Sequence, residues 1–196
     1  MLVIHHRRNT IKMLIETDFK FGVEVDIRSF KNNLVVHHEP FINGILFEEW
    51  LRNYNHKFLI LNVKEEGLEN KILNLMLKFN IQNFFFLDQS FPFLIKTAKE
   101  GETRSAVRVS EFESIDTAMK LEGMVDWVWV DFFSRLPLDF ISFTKLKEAG
   151  FKICLVSPEL QGYQISKIYI LQKLIKDLNL SFDAVCTKEP NLWISI

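Results

Sequence analysis

The feature that most constrains this chain is a beat of eight short, apolar, β-rich runs at 2–6, 22–27, 57–63, 82–88, 104–109, 126–131, 151–156 and 183–187. Most are separated by segments with helical periodicity. The clearest helices span 67–80, with Leu68, Ile72, Leu75, Met76 and Phe79 on one stripe, and 163–178, with Ile165, Ile168, Leu171, Leu174 and Ile175 on another. Alternating β and α units with right-handed crossovers build a parallel sheet. Eight of them imply closure into a barrel with the helices outside, whereas fewer closed strands imply an open doubly wound sheet. The expectation is an α/β fold, a compact TIM (β/α)8 barrel with parallel strands, formed as a single domain over residues 1–196. Such barrels typically need roughly 200 residues or more, so this one must be minimal, with short loops. Lys31-Asn32-Asn33 followed by Leu34-Val35-Val36 reads as a turn into a short extra strand.

Nearly every run ends in a polar residue: His6, Asp26, Lys64, Asp88, Arg108, Asp131, Ser157 and Thr187. In a parallel barrel these ends share one rim, where active sites form. For Asp88, Arg108, Glu111, Asp131 and Glu159 the ordinary explanation is rim ion pairs and helix caps. Phe84-Phe85-Phe86 reads as a fully buried strand, and Trp127 and Trp129 share parity with Asp131, as core filling or as an aromatic wall at the mouth.

The first third carries the chemistry. His6-Arg7, Glu24-Val25-Asp26, His38-Glu39-Pro40 and Asn62-Val63-Lys64 each lie at the end of a strand-like run. Successive strand side chains point to opposite faces, so Glu24 and Asp26 share one face, as do Asn62 and Lys64. Two carboxylates side by side make a site for a hard cation. Two histidines and a lysine at the same place add a general acid, a general base and an anion clamp, which together suit cleavage of a phosphodiester. Each group has a structural alternative. Arg28, on the face of the carboxylates, could pair with one of them, and Lys64 could belong to a surface network with Glu65 and Glu66. Parity puts His5 and His6 on opposite faces without choosing between them.

Charge and cysteine usage narrow the partners. With 24 basic and 25 acidic residues the formal net charge is −1, which argues against a general binder of nucleic acid or of anionic membranes. A small-molecule phosphodiester is the expected partner. Cys154 and Cys186 sit inside apolar runs without metal-type spacing, so they read as reduced core residues. The N-terminal apolar stretch is too short for a secretory signal, and no run approaches the roughly 18 apolar residues of a membrane span. The expected location is the cytoplasm.

A histidine followed by arginine near the N-terminus, then E-x-D after a glycine (Gly22, Glu24, Asp26), then V-V-x-H-E-P (Val35 to Pro40), resembles the glycerophosphodiester phosphodiesterases and their phospholipase-C-like relatives. The resemblance implies that His6 and His38 act as general base and acid. It implies that Glu24, Asp26 and Asn62 hold a divalent cation, Mg²⁺ or Ca²⁺, and that Arg7 and Lys64 contact the phosphate. It also selects His6 over His5. The chain departs from the family pattern at several points: Arg8 replaces the glycine of H-R-G, the glutamate before Asn9-Thr10 is missing, and Thr187-Lys188-Glu189-Pro190 stands where T-D-x-P is common. Asn62 replaces an acidic third ligand, which removes one negative charge and should weaken cation binding. Two readings follow: a metal-dependent phosphodiesterase acting on a glycerophosphodiester-like or sugar phosphodiester, or a catalytically impaired relative that binds a phosphorylated ligand without turnover.

Overall fold

Each of the eight apolar runs forms a strand in the computed structural model, which describes residues 1–194. Among these, ten strands and seven α-helices follow in chain order: β1 (Leu2–His5), α1 (Ile11–Ile15), β2 (Gly22–Phe30), β3 (Asn33–Val36), β4 (Ile45–Leu46), α2 (Phe47–Leu51), β5 (Phe58–Val63), α3 (Glu69–Lys78), β6 (Phe84–Leu87), α4 (Phe91–Lys99), β7 (Ala106–Val109), α5 (Ile115–Met119), β8 (Trp127–Val130), α6 (Phe140–Glu148), β9 (Lys152–Val156), α7 (Ser166–Asp177) and β10 (Ala184–Thr187). The two helices read most clearly from periodicity are α3 and α7, and the short extra strand is β3. No described helix is long and apolar enough to cross a membrane.

The chain divides into two compact units, one of His5–Glu102 and one of Met1–Ile4 with the residues from Thr103 onward. In the first, β2 pairs in parallel with β5 and β5 with β6, while β3 runs antiparallel to β2 and β4 antiparallel to β3. Strand alternation sends Val23, Val25 and Ile27 of β2, Leu59, Leu61 and Val63 of β5, and Phe84 and Phe86 of β6 to one face. There they pack with Leu14, Phe47, Trp50, Leu51, Ile72 and Met76 from the helices. Burial of each such side chain typically stabilises by about 1.5–3 kcal/mol. The same alternation turns Glu24, Asp26 and Asn62 away from that core. On α3 the expected stripe is split: Leu68, Ile72 and Met76 are buried, and Leu75 and Phe79 pack part-buried at the edge.

In the other unit β7, β8, β9 and β10 pair in parallel in sequence order, with β1 beside β10. Trp127 and Trp129 are buried, which fits core filling and not an open aromatic wall. Cys154 and Cys186 are buried free thiols. Along α7, Ile168, Leu171 and Ile175 are buried, whereas Ile165 and Leu174 of the expected stripe remain exposed.

Candidate active site

The seven residues singled out in the sequence converge on one side of β2, and all lie within the His5–Glu102 unit. Glu24 and Asp26 are 0% exposed. The parallel register sets Asp26 opposite Asn62 of β5. From there the Asn62 amide donates to Glu24 Oε1 at 2.8 Å, and its own Oδ1 is buried without a hydrogen-bond partner.

The turn after β1 supplies the next groups. Arg7 adopts a left-handed backbone, φ 52°, that few non-glycine residues accept. This conformation aims two parts of one residue at the carboxylates: its N–H donates to Glu24 Oε2 at 2.6 Å, and its Nε lies 3.2 Å from Asp26 Oδ2. His6 Nε2 stands 3.8 Å from Glu24 Oε2. Arg8 faces elsewhere, its guanidinium donating to the His6 carbonyl while Trp50 Nε1 donates to the Arg8 carbonyl at 2.8 Å. Thr10 accepts from the Met13 N–H and caps α1.

On the far side of β2, pairing with β3 returns the chain to the carboxylates, and the His37 N–H donates to the Asp26 carbonyl. His38 then meets Asp26 Oδ2 through Nδ1 at 3.2 Å, while its Nε2 lies 3.4 Å from Arg7 Nη2. Lys64, just past β5, reaches Asp26 Oδ1 at 3.4 Å and Asp88 Oδ2 at 3.0 Å. Its side chain is 16% exposed, so the surface network with Glu65 and Glu66 is not what it joins. A cleft of about 250 Å³ beside it is lined by Glu65, Glu66, Glu69, Asp88 and Ser90. Arg28 bonds the His38 and Lys64 carbonyls and neighbours Glu65, instead of pairing with Glu24 or Asp26.

The two carboxyls are driven in opposite directions. Burial, then the neighbouring Asp26 charge, pushes Glu24 up to about 7 despite the bonds from Asn62 and Arg7. Burial also opposes ionisation of Asp26. The Asn9 hydrogen bond and the charges of Lys64, Arg7 and His38 outweigh it and hold Asp26 below its ordinary value. His5, on the opposite face from His6, packs edge-on against Phe21, and burial with the Arg8 and His56 charges lowers it to about 4. It is a half-buried, neutral histidine.

Sequence reasoning missed Asn9, which holds Asp26 at both ends: Nδ2 donates to Oδ2 at 2.8 Å and Oδ1 accepts the Asp26 N–H at 3.0 Å. Its signals were its place directly before the helix-capping Thr10 and the Asn9-Thr10 pair already noted in the sequence. Asp88, read as a rim ion pair or helix cap, does form an ion pair, and its partner is Lys64, which it shares with Asp26. In the other unit the polar strand ends tie loops together. Arg108 pairs with Asp131, which also accepts from Gln161. Glu111 receives the Ser134 hydroxyl and N–H and the Arg135 N–H, bonds that overcome its partial burial and bring it down to about 2.

Among the described residues no cluster of three or more His, Cys, Asp or Glu is arranged to hold a metal ion. The donor set here is two carboxylates and an amide oxygen, hard ligands suited to a hard divalent cation. The unpartnered, buried Asn62 Oδ1 is an acceptor that such a cation could use.

No family model and no curated protein sequence matches the chain. Solved structures do. A provisionally named glycerophosphoryl diester phosphodiesterase from Agrobacterium tumefaciens is similar over 100% of this chain and 96% of its own, with 14% identity and a TM-score of 0.72. A provisionally named glycerophosphodiester phosphodiesterase from Galdieria sulphuraria is similar over 98% and 96%, with 16% identity and a TM-score of 0.70. A glycerophosphoryl diester phosphodiesterase from Parabacteroides distasonis is similar over 97% and 84%, with 12% identity and a TM-score of 0.65. At these identities the likeness establishes the fold: the chain has the parallel (β/α) barrel fold of the glycerophosphodiester phosphodiesterases.

Proposed function

We propose that this chain, built on the glycerophosphodiester phosphodiesterase fold, is a metal-dependent phosphodiesterase acting on a small glycerophosphodiester-like or sugar phosphodiester. The supporting observation is that two imidazoles, a guanidinium and an ammonium all meet the buried Glu24–Asp26 pair. A phosphodiester is an anion that gains charge on its equatorial oxygens at the transition state, and fixed cations around a buried site answer that need. Arg7 and Lys64 take the non-bridging oxygens. His6 removes the proton from the attacking hydroxyl, of water or of a neighbouring substrate alcohol. His38, whose Nδ1 faces Asp26 and whose Nε2 points away from it, returns a proton to the leaving alkoxide. Each such proton transfer typically contributes on the order of 10²–10⁴ in rate. Glu24, Asp26 and Asn62 Oδ1 would hold Mg²⁺ or Ca²⁺, which supplies further charge stabilisation to the phosphoryl oxygens. The reading takes residues 1–196 as one domain of a cytoplasmic protein that needs no membrane or nucleic-acid partner.

One observation favours the second reading, a phosphate binder without turnover: Asn62, Asn9, Arg7 and Lys64 already occupy the carboxylate oxygens. Calorimetry with Mg²⁺ and Ca²⁺, followed by hydrolysis of an aryl phosphodiester, separates the two. Metal binding that vanishes in Asp26→Asn, with turnover that needs His6 and His38, supports the enzyme. Phosphate binding with no metal uptake at millimolar concentration and no turnover supports the binder.

A further inference from the structure

We infer that Arg28 is the positioning residue that keeps His38 and Lys64 in register, an inference that rests on the phosphodiesterase reading above. Arg28 follows Glu24 and Asp26 on the same face of β2, where alternation alone would make it their counter-charge. It turns away from them. Nε donates to the His38 carbonyl at 2.8 Å, Nη1 donates to the Lys64 carbonyl at 3.3 Å, and Glu65 Oε1 lies 3.6 Å from Nη1. Glu65 is itself fixed, because its Oε2 accepts both the N–H and the hydroxyl of Ser29, at 3.1 and 2.5 Å. The Arg28 side chain is only 16% exposed.

One planar fork therefore clamps two chain exits, the loop after β3 and the end of β5. Each clamped carbonyl belongs to a residue whose side chain reaches Asp26: His38 Nδ1 at 3.2 Å and Lys64 Nζ at 3.4 Å. Asp26, His38, Arg28 and Lys64 form a ring in which Arg28 sets the backbone half and Asp26 the side-chain half. A lysine has three donors but carries them on one atom at the end of a flexible stem, so it cannot reproduce the fixed spacing with which Nε and Nη1 hold the two carbonyls. Loss of the clamp lets His38 and Lys64 drift independently, and a misplacement of about 1 Å can cost on the order of 10²-fold in rate.

The test uses Arg28→Lys, which keeps the charge beside Glu65, and Arg28→Ala. Ser29→Ala serves as a control that loosens Glu65 and leaves both carbonyl bonds intact. Three readouts apply: kcat and KM on an aryl phosphodiester, calorimetric binding of inorganic phosphate, and the ¹⁵N-correlated Nδ1 proton of His38 at fixed pH. Arg28→Lys is expected to fold, lower kcat about 10–100-fold with a smaller rise in KM, weaken phosphate binding and lose the His38 resonance. Millimolar guanidinium should restore part of each in Arg28→Ala, while Ser29→Ala keeps the resonance. Retention of the resonance and of phosphate affinity in Arg28→Lys overturns the inference, as do losses in Arg28→Ala that follow thermal stability and ignore guanidinium. If the wild type turns over no phosphodiester, the proposed function fails, and the resonance and phosphate measurements still decide the role of Arg28.

Discussion

Glu24 and Asp26 lie two residues apart on one strand, and their opposite shifts come from who stands beside them. Lys64 and Arg7 both lie against Asp26, whereas the side chain bonded to Glu24 is a neutral amide. Glu24 holds its proton to about 7 in the folded protein and releases it near 4.5 when unfolded. Between those values the folded state binds more protons, so the stabilisation is complete below pH 4.5 and is lost as pH rises through 7. Urea unfolding between pH 5 and 8 with divalent ions chelated should therefore show the wild type weakening relative to Glu24→Gln as pH rises; parallel curves would refute it. Alternation made the carboxylate pair, Asn62 and Lys64 legible, because strand geometry is rigid enough to assign faces from spacing. Arg7 and Asn9 were harder, since their roles depend on a left-handed turn that no periodicity announces. Asn9→Ala removes two bonds to Asp26 and leaves a buried N–H unpaired, with an expected cost of about 1–3 kcal/mol in chemical unfolding. Turnover should fall with it. An Asn9→Ala protein as stable as wild type would mean that water replaces the amide without loss.

The element that delivers His38 is the β3–β4 hairpin, and it is the part of the fold least visible in the sequence. The Leu34-Val35-Val36 run announced β3, but β4 is two residues, Ile45 and Leu46, too short for any pattern to separate from a loop. Its placement depends on Gly44. A Cβ there would lie 2.4 Å from the Val36 carbonyl oxygen and 3.1 Å from His37 Cβ, so the hairpin must open to admit any side chain. Gly44→Ala is expected to cost about 1–3 kcal/mol, as overpacking usually does. At roughly 2–4 °C per kcal/mol for a chain of this size, the melting temperature should drop measurably. Because the strain falls beside His37 and His38, kcat should drop more than KM rises. Unchanged melting and kinetics would show that the hairpin yields without moving His38. On the opposite flank, Trp50 of α2 is fully buried and its indole N–H closes the Arg8 turn. Trp50→Phe keeps most of the packing and deletes that bond, so a loss of about 1–3 kcal/mol is expected in thermal unfolding.

At the scale of the molecule, about 14% identity coexists with a TM-score of 0.72, because a barrel is specified by where apolar runs recur and which face each side chain takes, and not by residue identity. That is why eight strands were readable from one sequence, while α1, α2 and α5, five residues each, were not: a single turn and a half carries no periodicity. The site follows the same logic in part: Asn62 and Lys64 sit at the end of β5, where the run ends in the sequence, whereas Glu24 and Asp26 lie inside β2, which runs on to Phe30 past the end of the apolar run at 27. With Asn62 in place of a third carboxylate, a divalent cation would be held by two charges that Lys64 and Arg7 already oppose, so binding should be weak and should matter most to β2 and β5. A ligand that binds only the folded state at 100 times its Kd stabilises by about 2.7 kcal/mol. For a chain of this size that is a rise of about 5–10 °C in melting temperature. Saturating Mg²⁺ or Ca²⁺ is expected to give such a rise in the wild type and none in Asp26→Asn. Hydrogen exchange should slow at the amides of Glu24 to Ile27 and Leu61 to Val63 and stay unchanged in β8 and β9. A rise that persists in Asp26→Asn, or protection spread evenly over β8 and β9, would place the cation somewhere other than the Glu24–Asp26 pair.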